Sequence, residues 1–446
     1  MRDLVLLSIL PFVIYATIKR PFIGIGLWIW TALFFPNAWV YGMAGNLRYN
    51  LLFTSFAILS YLLSKDKPKF VLGGLGALVL LFFAWTTVST AMSVGLPERS
   101  WDIWVRFSKV ITLFLFVILV LNKKLHIDFF LWCVVLSVGF YANLEALKFV
   151  ASGGGHKISG LSGHVLGDRN ELAVAFVMTL PICYYLLGEY RNRSRVIAIG
   201  LLGTMGLLVA GIIGTQSRGG FIALAGFGAY FFFKSKHKFI FLILSGILIL
   251  GLAQLVSAEW ISRMDTINAA DDDASFMGRV VAWKLSFILA MQNPFFGGGF
   301  KSLEYFPVWS SLSQHFFQYD WFYTGDALPN TKFGRAAHSI YFQVLGEQGF
   351  AGLAIFLACL GGAFMKAGRI TRKVRRLNGP AWISSLSTML QLCLFAFALG
   401  GAALSFAYFE LFYAIIALLI LLEARVLPAA LKQQSSTPVT NSDVRQ

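Results

Sequence analysis

Long, nearly unbroken apolar runs separated by short polar connections dominate this chain. They extend from Leu4 to Ile18, Phe22 to Met43, Leu51 to Ser64, Phe70 to Val94, Val110 to Leu121, Ile127 to Val150, Leu172 to Leu187, Val196 to Thr215, Phe221 to Phe233, Phe239 to Ala258, Ser339 to Ala367 and Ile383 to Leu422. A helix needs about 20 apolar residues to cross a hydrocarbon layer of about 30 Å, so the last run is long enough for two crossings. The pattern predicts an all-α polytopic membrane protein with about 12 transmembrane helices. Barrel strands would instead alternate over segments of about ten residues.

The pattern divides the chain into residues 1–258, a first set of membrane helices; 259–337, a large segment outside the membrane; 338–432, a second set of helices; and 433–446, a polar tail read as disordered. Within the outer segment, FMGRVVAWKLSFILAMQ follows Asp271, Asp272, Asp273 and Ser275 and precedes Asn293 and Pro294. Acidic residues and Ser at the start and Pro behind the end predict an amphipathic helix there. Arg279 and Trp283 then share one face, a turn apart. The next residues, FFGGGF, allow a sharp turn or a close backbone approach.

Composition and charge fit this picture and orient it. Apolar residues make up 57% of the 446 and charged ones 13%, about half the usual fraction. The formal charge of +16 does not predict nucleic-acid binding, because the cations sit in short connections without interleaved aromatics or a soluble domain. They cluster at Lys19 and Arg20; Lys65, Lys67 and Lys69; Lys123 and Lys124; Arg191, Arg193 and Arg195; Lys234, Lys236 and Lys238; and Arg369, Arg372, Lys373, Arg375 and Arg376. The positive-inside rule makes these connections cytoplasmic. The alternate ones, Gly95 to Lys109, Ala151 to Asn170, Gln216 to Gly220 and Glu259 to Ala337, fall outside. All four cysteines lie in apolar runs, so neither a disulfide framework nor a thiolate metal site is predicted. Lys19, Arg20 and Pro21 follow the first run in place of a small-residue cleavage site, and it is read as a retained segment.

Ionisable groups at the outer ends of the runs are the candidates for chemistry, because charge near a bilayer is costly unless a cavity or function holds it. They are Asp168, Arg169, Asn170 and Glu171 in GDRNELA; Arg218 in TQSRGG; Arg279; Arg335 and His338 before the run that starts at Ser339; and Glu347 and Gln348 inside that run. Each has a plainer reading. Arg218 could anchor at the interface, the Arg279 stem could cover an apolar face, and His338 could merely open a helix. Asp271 to Asp273 read better as a solvated cap than as a cation site, since no other ligands are spaced to join them. His156 and His164, in a Gly-rich loop, stay open between a function and simple solvation.

TQSRGG, then GRVVAWKLSFILAMQNPFFGGGF, then AHSIYFQVLGEQGFAG resemble, in order, the signature of the O-antigen ligase and polymerase superfamily. GDRNELA is similar to that family's Asp-x-Asn element, and the first third of the chain is similar to the subgroup of exosortase-associated O-glycosylation ligases. The resemblance implies a GT-C-like glycosyltransferase in the bacterial inner membrane, active on the periplasmic side. It implies an undecaprenyl diphosphate-linked glycan as donor, a lipid A-core oligosaccharide as acceptor, and neither metal nor cofactor. Arg218 and Arg279 would then hold the donor diphosphate and His338 would act as general base, with Asp168, Arg169, Asn170, Arg335 and Glu347 in support. A polymerase or a protein O-glycosylation ligase would use the same donor. A transporter or lipid-carrier flippase would need related inverted halves, and no internal repeat is evident.

Overall fold

The computed structural model describes residues 2–65, 67–234 and 274–436, with Lys238, Phe239, Ile243 and Gly246 between the last two stretches. Most of the run from Phe239 to Ala258, the connection at Lys236 and the Asp271 to Asp273 cluster lie outside the described residues. The described residues are all-helical, as expected, and contain no strand.

The helices are α1 Arg2–Lys19, α2 Pro21–Phe34, a short α3 Gly42–Gly45, α4 Tyr49–Leu63, α5 Gly73–Ala91, α6 Pro97–Val120, α7 Lys124–Ala151, α8 Arg169–Tyr190, α9 Arg195–Gly214 and α10 Arg218–Lys234. They continue as α11 Ala274–Gln292, α12 Phe306–Ser313, α13 Ile340–Arg376, α14 Ala381–Gly401, α15 Glu410–Leu421 and, after a π-helical turn Leu422–Val426, α16 Leu427–Ser436. Eight segments among the described residues are long and apolar enough to span a bilayer, and Pro21–Phe34, Tyr49–Leu63 and Arg218–Phe233 are shorter apolar helices. The long run to Leu422 does divide in two, at the turn between α14 and α15. Four residues of the expected tail, 433–436, are helical, and the rest lies outside the described residues.

One connection is helix. Gly95 to Lys109 was expected to be an outer loop, but Pro97 occupies the first helical position, where its missing N–H costs nothing, and α6 runs on from it. The charges that disguised this turn lie on its exposed face, where Asp102 and Arg106 pair at 3.0 Å one turn apart.

Helix α8 forms the centre of the bundle. It is apolar on all sides, with 78% of its spanning window buried, and packs against α7, α9, α10 and α14. In α9 only 28% of the window is buried, and Val196, Ile199 and Leu202 point outward, as a lipid-facing helix requires. The outer segment has its own small core, in which Val281, Leu285 and Leu289 of α11 meet Leu303, Trp309 and Phe316. Trp309 Nε1 pins it by donating to the Asn330 carbonyl at 2.9 Å.

The two histidines of the Gly-rich loop have structural partners. His156 Nε2 lies 2.7 Å from Glu145 Oε2, and His164 Nε2 lies 2.7 Å from the Ala32 carbonyl with its ring stacked on Phe35.

Candidate functional site

A break in α13 explains why Glu347 and Gln348 stand inside an apolar run. Gly349 has φ 71° and ψ −174°, so the helical hydrogen bonds that should cross it are lost. The Phe350 N–H donates to the Pro294 carbonyl at 2.8 Å. The carbonyls of Gly346 and Glu347 are thereby freed, and they accept from Gly298 and Gly299 at 2.8 and 2.9 Å. Trp85 Nε1 serves the Gln348 carbonyl at 3.0 Å, and the Ser89 hydroxyl lies 2.8 Å from that of Glu347. This docking needs glycine on both sides. A Cβ on Gly349 would stand 2.4 Å from the Phe295 carbonyl oxygen, and one on Gly297 would stand 2.5 Å from the Gly349 nitrogen. The triple glycine is thus a turn fitted to a broken helix.

The turn delivers Lys301 in the left-handed region, φ 55°. Its N–H donates to Glu347 Oε1 at 3.0 Å, and its ammonium holds both oxygens of Glu304 at 3.0 and 3.1 Å. The other Glu347 oxygen accepts from the Tyr408 hydroxyl at 2.7 Å. Both carboxylate oxygens of Glu347 are therefore engaged, and it fastens the floor of the site.

His338 also adopts the left-handed region, φ 47°, which costs a non-glycine residue about 1–2 kcal/mol. Two bonds hold it there. Its N–H donates to Ser405 Oγ at 2.9 Å, and the preceding Ala337 carbonyl accepts from Trp283 Nε1 at 2.7 Å. Trp283 is fixed in turn by stacking on Phe342, with ring centroids 5.2 Å apart. Strain of this kind survives only where surrounding contacts over-determine the backbone.

The residues after α14 gather the rest. Arg279 Nη1 donates to the Ala403 carbonyl at 3.2 Å, and Tyr341 donates to that of Ala398 at 2.8 Å. The Ala407 N–H donates to Gln343 Oε1 at 3.2 Å. The first turn of α10, opened by Arg218, packs here as well: a Cβ on Gly219 would lie 3.3 Å from the Gly400 carbonyl oxygen. The stretch from Ala398 to Tyr408 thus joins α10 and α11, which carry Arg218 and Arg279, to α13, which begins two residues after His338.

Between these parts lies a cavity of about 190 Å³, lined by His338, Asp168, Glu171, Lys301, Glu304 and Glu347 together with apolar and small residues. Solvent reaches His338, though the surrounding protein partly desolvates its ring. That partial burial pushes its pKa below the ordinary imidazole range, and the Arg279 and Arg335 cations push the same way against Asp168 and Glu304. The ring is therefore neutral near pH 7 and able to accept a proton.

The sequence-derived candidates are only partly united. His338, Asp168 and Glu347 line the cavity; Arg218, Arg279, Arg335, Arg169 and Asn170 do not. Arg279 bonds to the Ala403 carbonyl, and Gly219, the residue after Arg218, packs on Gly400. Arg335 lies over the Phe333 ring at 5.3 Å and so close to α11 that a Cβ on Gly278 would meet its Nη1 at 2.5 Å. Asp168 caps α8 by accepting from the Asn170 N–H at 2.7 Å and its side-chain amide at 2.8 Å, and Glu171 completes the capping box. Asn170 and Glu171 are thus explained by the helix start. Arg169 is the first residue of that helix.

Sequence reasoning missed Lys301, Glu304, Ser405 and Tyr408. A charged Lys directly after the triple glycine was a usable signal for Lys301. Tyr408 and Ser405 gave none, because they sit in what reads as a continuous apolar run.

Residues 203–357 match the family model described as O-Antigen ligase. Residues 1–190 match one described as a family of unknown function, DUF5935. No curated protein matches the chain. The first match spans Arg218, Arg279, Arg335, His338, Glu347 and the triple glycine, and stops short of the Ala398–Tyr408 stretch that joins their helices.

Proposed function

Because this chain belongs to the O-antigen ligase and polymerase superfamily of membrane glycosyltransferases, we propose that it is an O-antigen ligase, moving a glycan from undecaprenyl diphosphate to a lipid A-core oligosaccharide on the periplasmic side of the inner membrane. The observation that carries this reading is a left-handed His338 at an open cavity, with Arg279 bonded to the same turn that holds the His338 backbone.

In this reading His338 takes the proton of the acceptor hydroxyl as that oxygen attacks the anomeric carbon. The new glycosidic bond forms while the bond to the carrier diphosphate breaks, and configuration at that carbon inverts. Negative charge grows on the leaving diphosphate, and Arg218 and Arg279 stabilise it with charge-assisted hydrogen bonds. Lys301 adds a third cation on the cavity side. Burial and the Arg279 cation lower the proton affinity of His338, and Asp168 and Arg335, of opposite sign, adjust it further. The orientation rests on the arrangement of helix ends: the links carrying Lys65 to Lys69, Lys123 and Lys124, Arg191 to Arg195 and Arg369 to Arg376 join helices at the ends away from the cavity.

The test is reconstitution of the purified chain in vesicles with a carrier-linked glycan and, separately, lipid A-core, a second carrier-linked glycan or a Ser-containing peptide as acceptor. Transfer to lipid A-core supports the ligase. Transfer only to the second glycan or to the peptide replaces it with a polymerase or a protein ligase, and no transfer to any of them sinks the reading.

A further inference from the structure

At the end of α14 away from His338, a second and larger cavity of about 1180 Å³ opens beside Pro380 and Trp382. Its walls carry Lys69, Lys123, Lys124, Arg425 and Lys432, and among the described residues no acidic side chain lines it. The π-helical turn Leu422–Val426 places one of these cations. A π turn inserts one residue into the helical path, which redirects the side chains that follow, and such turns often occur at binding sites. Here Arg425 Nη1 reaches the carbonyls of Ile118 and Leu121 at 2.9 and 2.8 Å, at the end of α6 where carbonyls lack helical donors, and Nη2 reaches that of Lys69. Arg425 is thus a fixed charge that also stitches the Lys69 segment to α6.

Lys124 is engaged with Asp128 and Glu189, and its ammonium stands 5.2 Å from the Trp382 ring. Lys69 and Lys123 are exposed and, among the described residues, make no ion pair. Beside them Asn122 has a buried Oδ1 without a donor. Phe70 follows Lys69 directly and Leu125 lies two residues after Lys123, and they leave 51% and 60% of their surface uncovered at the rim. A soluble anion would have no use for that apolar rim. A molecule with a phosphate and hydrocarbon tails would use both, at the depth where the helices leave the bilayer and Trp prefers to sit.

We propose that this cavity binds an anionic phospholipid, its phosphate between Lys69 and Lys123 and its acyl chains along Phe70 and Leu125. A head group that bears hydroxyls, such as glycerol, also supplies the donor that Asn122 Oδ1 lacks. The site is independent of the transfer chemistry.

Native mass spectrometry of the purified full chain in neutral detergent, titrated with phosphatidylglycerol or with phosphatidylcholine of the same chains, tests it. Phosphatidylglycerol should bind more tightly. Since each basic residue near a membrane surface contributes about fivefold, Lys69→Gln with Lys123→Gln should weaken phosphatidylglycerol by roughly thirty-fold and leave phosphatidylcholine unchanged. Lys69→Arg with Lys123→Arg should keep the preference. Equal binding of the two lipids, or an undiminished preference in the Gln pair, overturns the proposal. Displacement of the lipid by millimolar inorganic phosphate would assign the site to a soluble anion instead. Binding by a chain ending at Ser436 but not by the full chain would make the last ten residues the occupant, and also overturn it.

Discussion

The two ends of α14, separated by the roughly 30 Å that its 21 residues span, are built by opposite means. At the Gly401 end the backbone is irregular: His338, Lys301 and Gln216 all adopt left-handed conformations, α13 is broken, and acidic and basic groups alternate around a small cavity. At the Ala381 end Asn378 is left-handed and the chain makes a π turn, but among the described residues no helix is broken across the cavity wall and the charges lining the cavity, which is several times larger, share one sign. Mixed charge on a strained backbone suits a site that must move a proton and neutralise a leaving group in turn. Cations of one sign over an apolar rim suit a site that holds an anion and does nothing to it. The difference separates chemistry from attachment without appeal to any sequence motif.

The severest way to break this contrast is at His338. His338→Ala should slow transfer by about 10²- to 10⁴-fold, the usual cost of losing a general base, with donor binding retained. Arg218→Ala and Arg279→Ala should each cost about 10²- to 10³-fold by removing a stabiliser of the leaving group. Lys at either place should recover part of that, since it keeps the charge but loses the planar fork. The Lys69→Gln, Lys123→Gln pair, at the other end, should transfer at the wild-type rate. Turnover assays on vesicles carrying each variant measure all of these. An His338→Ala rate near wild type would move the chemistry away from the strained end.

What the chain discloses before folding divides along the same line. The apolar runs, the helix from Ala274 to Gln292 and its stop at Asn293 and Pro294 were legible because their period and punctuation are local. His338 and Arg218 stood out as candidates because charge at the mouth of an apolar run costs hydration and so draws notice. Tyr408 and Ser405 were not, since a polar residue that bonds to a partner more than 60 residues away leaves no local mark. The start of α6 was misread for the converse reason. Its charges sit on an outer helical face and look, in one dimension, like a loop. Asn170 looked chemical because a helix cap and a binding motif use the same residue types.

A second test separates the two ends by stability. Gly349→Ala forces a side chain into φ 71° and within 2.4 Å of a carbonyl oxygen, and should destabilise the protein by about 2–4 kcal/mol. Gly73→Ala, beside the basic cavity, has a similar φ of 62° but open space around the new Cβ, so only the conformational cost of about 1–2 kcal/mol remains. Thermal unfolding in detergent should therefore rank Gly349→Ala well below Gly73→Ala, with the latter not far below wild type. Equal losses would mean that the turn at Gly297–Gly299 does not depend on close contact with the broken helix.

The smallest effect is the most specific to the strained end. Burial lowers the His338 pKa, Arg279 and Arg335 lower it further, and Asp168 and Glu304 raise it. A base works only when unprotonated, so the wild-type transfer rate should fall as pH drops through a value below the ordinary imidazole pKa of about 6.5. Arg335→Gln removes a cation that disfavours the protonated ring; the pKa rises and the acid limb of the rate profile should move to higher pH. Asp168→Asn removes a carboxylate that favours the protonated ring, so the limb should move to lower pH. Asn is as good a helix cap as Asp, and α8 should start as before. Each shift should be under about one pH unit, because solvent reaches both groups and screens them. Neither change should alter phosphatidylglycerol binding at the far end. Limbs that move in the same direction in both variants, or not at all, would show that the titrating group is not an imidazole held between these charges.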